Sequence, residues 1–176
     1  MERFCQGDAQ AFDALYARHR MGLHGFFRRM AGSRAAADDL LQVTFLHLVQ
    51  ARDRFDPGER FKPWLYAIAR NAARDYLRLA AHREVGGEAG EPPLASAVAP
   101  ETTDESDPAQ AAALQKALSE LPEAYREAVV MHQLEGLSFP EIAKAVHSTP
   151  GAVKVRAHRG YQKLRAALAK LRGGQP

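Results

Sequence analysis

Apolar positions along the chain fall at helical spacing in two blocks, with a stretch between them that has few. In the first block Phe12, Leu15, Tyr16, His19, Leu23, Phe26 and Phe27 recur three or four residues apart, which gathers them on one helix face. Gly32 and Ser33 break that helix. A second follows with Leu40, Leu41, Thr44, Phe45, Leu48 and Val49 on its apolar side. Residues 52–60 contain "FDPGE" and read as a loop, because Asp, Pro and Gly together favour turns. A third helix starts near Phe61 and carries Trp64, Leu65, Ile68, Ala72, Tyr76 and Leu77. The alternation of a strand is absent, so this block predicts a small helical bundle.

The last block opens with a helix from about Ala109 to Leu121. Pro122 suits the first turn of the next helix, which is expected to bury Tyr125, Val129, Val130 and Leu134 before Gly136 ends it. Ser138 and Glu141 have the Ser-x-x-Glu spacing of a capping box, opening a short helix with Ile142, Ala143 and Val146 inside. His147 to Thr149 turn the chain. Pro150 then sits where a first helical turn tolerates it, after a Ser148 or Thr149 cap. The last helix runs to about Leu171, with Val153, Ala157, Tyr161, Leu164 and Leu168 facing inward. A short capped helix, a tight turn and a longer helix make a helix-turn-helix. The class is therefore all-α, with two small helical domains.

Charge changes this picture from architecture to partner. The net charge of the 176 residues is only +3. Its distribution is uneven: 13 Lys/Arg against 9 Asp/Glu in residues 1–81, 1 against 7 in 82–113, and 10 against 5 in 114–176. Two basic blocks flanking an acidic one point to an anionic partner or an acidic tether. Residues 82–108 are rich in Gly, Pro, Ala, Ser and Thr and hold too few large apolar groups to offset the entropy of ordering, so they read as a flexible acidic linker. On the last helix, inward positions are already taken by Val153, Ala157 and Leu164. Lys154, Val155, Arg156, His158 and Arg159 are left around the exposed arc. The second helix of such a motif fits the major groove, where Lys and Arg bind phosphates or donate to guanine and Val touches a thymine methyl. A merely solvated basic face is the alternative, and the lack of acidic partners between Lys154 and Arg165 favours DNA.

Two longer stretches carry a family likeness. "DDLLQVTFLHLV" from Asp38 and "RFDPGERFKPWLYAIARNAARDYLR" from Arg54 closely resemble region 2 of bacterial extracytoplasmic-function sigma factors. "LPEAYREAVVMHQLEGLSFPEIAKAV" from Leu121, with the basic helix after it, resembles their region 4. The resemblance covers about residues 7–81 and 109–171, in the family's order, with the linker between. It implies a factor that joins core RNA polymerase and directs it to −35 and −10 promoter elements. For polymerase binding it implies Asp38, Asp39, Leu40 and Gln42, of which Leu40 also suits the bundle core. For the −10 element it implies the loop from Asp53 to Phe61, which holds a flipped base, with Phe55 and Phe61 either stacking or anchoring the loop. Asn71 reads upstream bases there, while Arg70, Arg74 and Arg78 hold phosphates. Trp64 suggests stacking too, but its register with Leu65 and Ile68 makes it core. For the −35 element it implies Lys154, Val155, His158 and Arg159 at the bases and Arg156 nearer the backbone. The family turn often carries Gly where His147 stands. The linker is implied to thread the RNA exit path. An anti-sigma factor, often membrane-bound in the family, is implied as the inhibitor.

Other chemistries find little support. Cys5 is the only cysteine, so neither an internal disulfide nor a Cys-rich zinc site is expected. Cys5 with His19 or His24 could suggest a thiol nucleophile, but Cys5 is expected in a frayed terminus and no third group is evident. Asp38 and Asp39 point about a hundred degrees apart on a helix and would not share an ion. No phosphate-cradling glycine loop is present. No catalytic residue, metal, cofactor or small-molecule substrate is expected, and neither a signal peptide nor a membrane span is recognised. The expectation is a cytoplasmic protein. The rival function is a plain helix-turn-helix regulator, which would need a ligand pocket or dimer interface within residues 1–81.

Overall fold

A computed structural model describes residues 1–85 and 108–173. Among them lie helices α1 (Glu2–Cys5), α2 (Ala9–Ala31), α3 (Arg34–Ala51), α4 (Phe61–Val85), α5 (Pro108–Ser119), α6 (Glu123–Val129), α7 (Phe139–Ala145) and α8 (Pro150–Gly173), and no strand. A single 3-10 turn covers Arg52–Arg54, and a π turn covers Val130–Leu134. The all-α class with two helical domains is what the sequence implies. The acidic linker read over 82–108 falls outside the described residues from 86 to 107.

Local chemistry sets the helix ends of the first domain. The Asp8 carboxylate accepts from the Ala11 amide at 3.2 Å and starts α2. Gly32, at φ 82°, ends it in the left-handed region that glycine enters freely. Ser33 then caps α3 by accepting from Ala36 at 3.1 Å. These two residues turn the chain so that α3 lies back along α2. Leu23, Phe26, Phe27, Met30, Leu48, Leu65 and Tyr66 fill the space between α2, α3 and α4. The Phe12 ring meets Phe45 edge-on at 6.0 Å.

The N-terminal residues are better ordered than a frayed end. Phe4 of α1 is buried beside Phe12, with ring centroids 5.7 Å apart. The Cys5 thiol donates to the Arg52 carbonyl at 3.4 Å. One buried aromatic ring and one thiol contact therefore tie α1 to the start of the following loop.

In the second domain the expected capping box is present. Ser138 accepts from the Glu141 amide, and the Glu141 carboxylate accepts from the Ser138 amide at 2.8 Å. Thr149 is the cap of α8, accepting from Ala152 at 3.2 Å. Leu134 departs from expectation. The wide turn pairs Glu135 N–H with the Val130 carbonyl, five residues back, which shifts the helical phase. Val129, Val130 and Met131 stay buried, and Leu134 is left exposed.

The two domains pack against each other. Their buried side chains form one continuous cluster, from Phe26 and Tyr66 through Leu118 and Val130 to Ile142 and Val153. Polar contacts line the junction. Arg126 donates to the Met30 carbonyl at 2.8 Å, meeting a free acceptor at the C-terminal end of α2. Arg70 donates to Glu127 at 3.0 Å.

Candidate nucleic-acid interface

On α8 the predicted arc stands free of the fold. Val153 and Ala157 are buried against α6 and α7, which fixes the helix's rotation. Lys154, Val155, His158 and Arg159 are exposed, and Arg156 is half-buried at the edge of the arc. Val155 keeps 49% of its surface in water, between the exposed Lys154 and the half-buried Arg156. The Gln162 side chain lies 3.1 Å from His158 Nε2 and orients that ring. Close packing supports the helix from behind. A Cβ on Gly160 would lie 2.6 Å from Val129 Cγ2, so only glycine lets α8 approach α6 this closely.

The turn before α8 shows why the resembling family often has glycine there. His147 adopts φ 50°, in the left-handed region. The neighbouring Ser148 amide reaches back to the Ala143 carbonyl at 2.9 Å and closes the turn.

A second basic face lies along α4. Asn71, Arg74, Asp75 and Arg78 surround an open hollow of about 280 Å³. Asn71 is exposed. Arg74 pairs with Glu123 of α6 at 3.0 Å, and Arg78 lies 4.0 Å from Asp75. Arg70 belongs to the same arc by sequence but points into the domain junction. Its side chain is 10% exposed and that of Glu127 only 4%. Burial raises the Glu127 carboxyl above its ordinary value, and the Arg70 charge opposes this.

The loop before α4 is built on Asp56. Its carboxylate accepts from Gly58 N–H at 2.9 Å, and its carbonyl accepts from Glu59 N–H at 2.9 Å. Phe55 turns inward beneath it, edge-on to Trp64 at 5.1 Å and to Phe61 at 6.1 Å. Of the two options for Phe55, anchoring is the one seen. Phe61 is half-buried, and Trp64 packs on the core.

On α3 the four predicted residues separate. Leu40 is buried in the bundle. Asp38 turns to His24 of α2 at 3.1 Å. Asp39 and Gln42 are exposed and share a face with Val43 and Leu46, the latter 56% exposed.

The two helical domains, in this order, match known proteins. Residues 15–83 match Sigma-70 region 2, and residues 111–164 match Sigma-70, region 4. RNA polymerase sigma factor CarQ of Myxococcus xanthus is 46% identical over 171 residues, covering 97% of each chain. The chain belongs to the sigma-70 family of RNA polymerase sigma factors. Its relatives include the extracytoplasmic-function sigma factor SigW of Bacillus subtilis, 31% identical over 94% of this chain and 93% of that one. Among solved structures, RpoE of Bartonella quintana in complex with the anti-sigma factor NepR superposes with a TM-score of 0.78. It is 25% identical over 92% of this chain and 98% of that one. CnrH in complex with the cytosolic domain of CnrY gives 0.73, at 29% identity over 96% of this chain and 94% of that one.

This sigma factor also carries features that sequence reasoning missed. The exposed apolar row on α3, Val43, Leu46 and Val49, is one; Val49 was expected on the buried side. Its signal was present, since "FLHLV" is apolar at four of five positions, too many for a helix with one buried face. The acidic residues Glu123, Glu127 and Glu135 facing the region 2 helices are another. Nothing local in the sequence signals a partner 57 residues away, as Arg70 is from Glu127. Among the described residues no group of His, Cys, Asp and Glu could hold a metal, and no helix is long and apolar enough to cross a membrane.

Proposed function

We propose that this sigma factor docks on core RNA polymerase through the exposed face of α3 and reads the promoter with α8 and α4. Asp39, Gln42, Val43 and Leu46 form the docking face, with an apolar centre and polar edges as interfaces commonly have. Leu40 supports it from within, and Asp38 steadies it through His24. Residues 7–81 then act as the −10 module and 109–171 as the −35 module, joined by the acidic linker of 82–108. Lys154, Val155, His158 and Arg159 contact −35 bases, and Arg156 a flanking phosphate. Asn71 reads upstream −10 bases. Arg74 and Arg78 hold phosphates, and Arg70 joins them when freed from Glu127. The loop anchored by Phe55 receives the flipped base, with Phe61 at its edge. The protein serves as a specificity subunit without chemistry of its own, acting in the cytoplasm. An anti-sigma factor holds it inactive, a reading supported by the likeness to RpoE bound to NepR.

The observation that carries this reading is the exposed arc of α8, where an unpartnered valine stands among basic groups on a rigidly backed recognition helix. Run-off transcription with purified core polymerase over sheared genomic DNA of the source organism tests it. Discrete transcripts that require this protein are expected, and their start sites expose both elements. Moving the two elements apart by half a helical turn then abolishes them, because linked modules bind together only at a matched span. Tight duplex binding without any polymerase-dependent transcript would overturn the reading in favour of a plain regulator.

A further inference from the structure

Arg70 and Arg74 stand one helical turn apart on α4, and so do Glu123 and Glu127 on α6. The two pairs meet as rungs of a ladder: Arg70 on Glu127 and Arg74 on Glu123, each at 3.0 Å. Next to them the −10 loop is tied to α7. Arg60 of the loop pairs with Glu141, and Glu59 accepts from Lys144 at 2.7 Å. Two carboxylates a turn apart resemble two successive phosphates of an unstacked strand in charge and reach. They occupy the arginines that such a strand needs. The α8 arc, by contrast, is uncovered in the same arrangement.

We propose that Glu123 and Glu127 of region 4 act as an internal decoy, competing with the −10 strand for Arg70 and Arg74. The closed chain is then shut to single-stranded promoter DNA while its −35 helix stays available. This rests on the reading of α4 as the −10 face. Ionic contacts suit a reversible mask. A buried ion pair gains little net stability, because both charges regain their hydration when they separate. The apolar part of the junction adds to the closed state and must part with the ion pairs when it opens. The two states exclude each other, so any partner that opens the domains raises the affinity for the strand, and the strand opens the domains in return.

The test uses the full chain carrying donor and acceptor dyes at Ala35→Cys and Ala166→Cys in a Cys5→Ser background, one label on each domain. The ligand is a short mixed-sequence single-stranded DNA at low salt. In Glu123→Gln/Glu127→Gln, energy transfer is expected to fall and strand affinity to rise about tenfold, within the usual range of coupling between two binding events. Binding of −35 duplex is expected to stay unchanged. Adding Arg70→Ala/Arg74→Ala to that variant removes the gain. In the unmutated labelled chain, the strand itself lowers transfer as it binds, which tests the competition without disturbing the buried pair. Strand binding that leaves transfer unaltered would overturn the proposal. So would a variant that opens without gaining affinity while Arg70→Ala/Arg74→Ala still weakens binding, and there the −10 reading survives. If the opened variant binds the strand equally with and without Arg70 and Arg74, the reading of α4 fails and the decoy fails with it.

Discussion

The Tyr66 hydroxyl of region 2 donates a hydrogen bond to Oε2 of Glu135 in region 4, and both side chains are buried at the junction. Burial raises the Glu135 carboxyl above its ordinary value, against the opposing pull of Tyr66, Lys62 and Arg29. The sign of the consequence follows. A carboxyl with a raised folded value binds more protons folded than unfolded, so its contribution is fully present below the ordinary carboxylate range. That contribution is lost as pH rises through the folded value. Glu135→Gln, which keeps an acceptor for Tyr66 but cannot ionise, is therefore expected to gain stability relative to wild type as pH rises above the ordinary carboxylate value of 4.5. Thermal unfolding across that window measures it, and a difference independent of pH would refute it. Tyr66→Phe removes a hydroxyl donor to the carboxylate and is expected to cost about 1.5–3 kcal/mol at neutral pH.

His147 makes the helix-turn-helix turn at φ 50°. A left-handed residue with a side chain costs about 1–2 kcal/mol, and glycine's greater freedom in the unfolded chain takes back roughly half of that. His147→Gly is expected to stabilise the chain by about 0.5–1 kcal/mol. Denaturant midpoints read it. A destabilised variant would mean that the exposed imidazole makes a contact worth more than the strain.

Much of this architecture could be read from local sequence, and what escaped has a common physical origin. Ser138 caps its helix as residue type and spacing imply, and Thr149 is the one of the two candidate caps that starts α8, because a cap is decided within four residues. The inward face of α8 followed from period alone, and so did that of α2 apart from Tyr16, which is exposed. Leu134 did not, because a π turn changes the period within the helix without a local signature. The inward turn of Arg70 and the exposure of Val49 depend on what each helix meets across the molecule. The residues proposed to face polymerase and the −10 element came from resemblance, and local pattern alone would have left Asn71 and Gln42 as ordinary surface residues. The face of α8 was the one part of the site readable directly, because exclusion of the buried positions leaves a single arc.

Gly160 sits where α8 crosses α6. An added methyl would lie 2.6 Å from Val129 Cγ2 and 3.2 Å from the Tyr125 carbonyl. Val129 is itself buried and cannot swing away. Gly160→Ala ordinarily favours a helix, but here overpacking dominates, and a loss of about 1–3 kcal/mol is expected. Because the contact lies behind the recognition helix, −35 binding weakens in parallel with thermal stability. A stable variant with normal binding would show that α8 can shift without consequence.

Lys154 and Arg159 flank the exposed arc, and salt dependence separates their roles. A phosphate contact releases counterions and carries no sequence preference, whereas a bidentate guanine contact is lost only on the preferred site. Arg159→Ala is expected to weaken the preferred −35 duplex by about 1–3 kcal/mol and relax preference at one base position. Lys154→Ala is expected to relax preference at a different position. Equal loss on all duplexes, with a salt slope lowered by about one, would make either residue a backbone contact instead.

Leu46 is 56% exposed in the middle of α3's outer face, one turn from Gln42 and Val43. It lies outside the buried core, so replacing it should leave the fold alone. Surface changes away from buried contacts usually move stability by less than about 0.5 kcal/mol. At a docking face the same residue would be a central apolar anchor, and burying a carboxylate there would cost far more. Leu46→Glu is therefore expected to melt as the wild type does and to bind −35 duplex normally, yet to lose most of its affinity for core polymerase. Co-purification with core polymerase and run-off transcription read the loss. Undiminished transcription would remove α3 from the docking face and turn the search to the exposed Tyr16 and Met21 of α2.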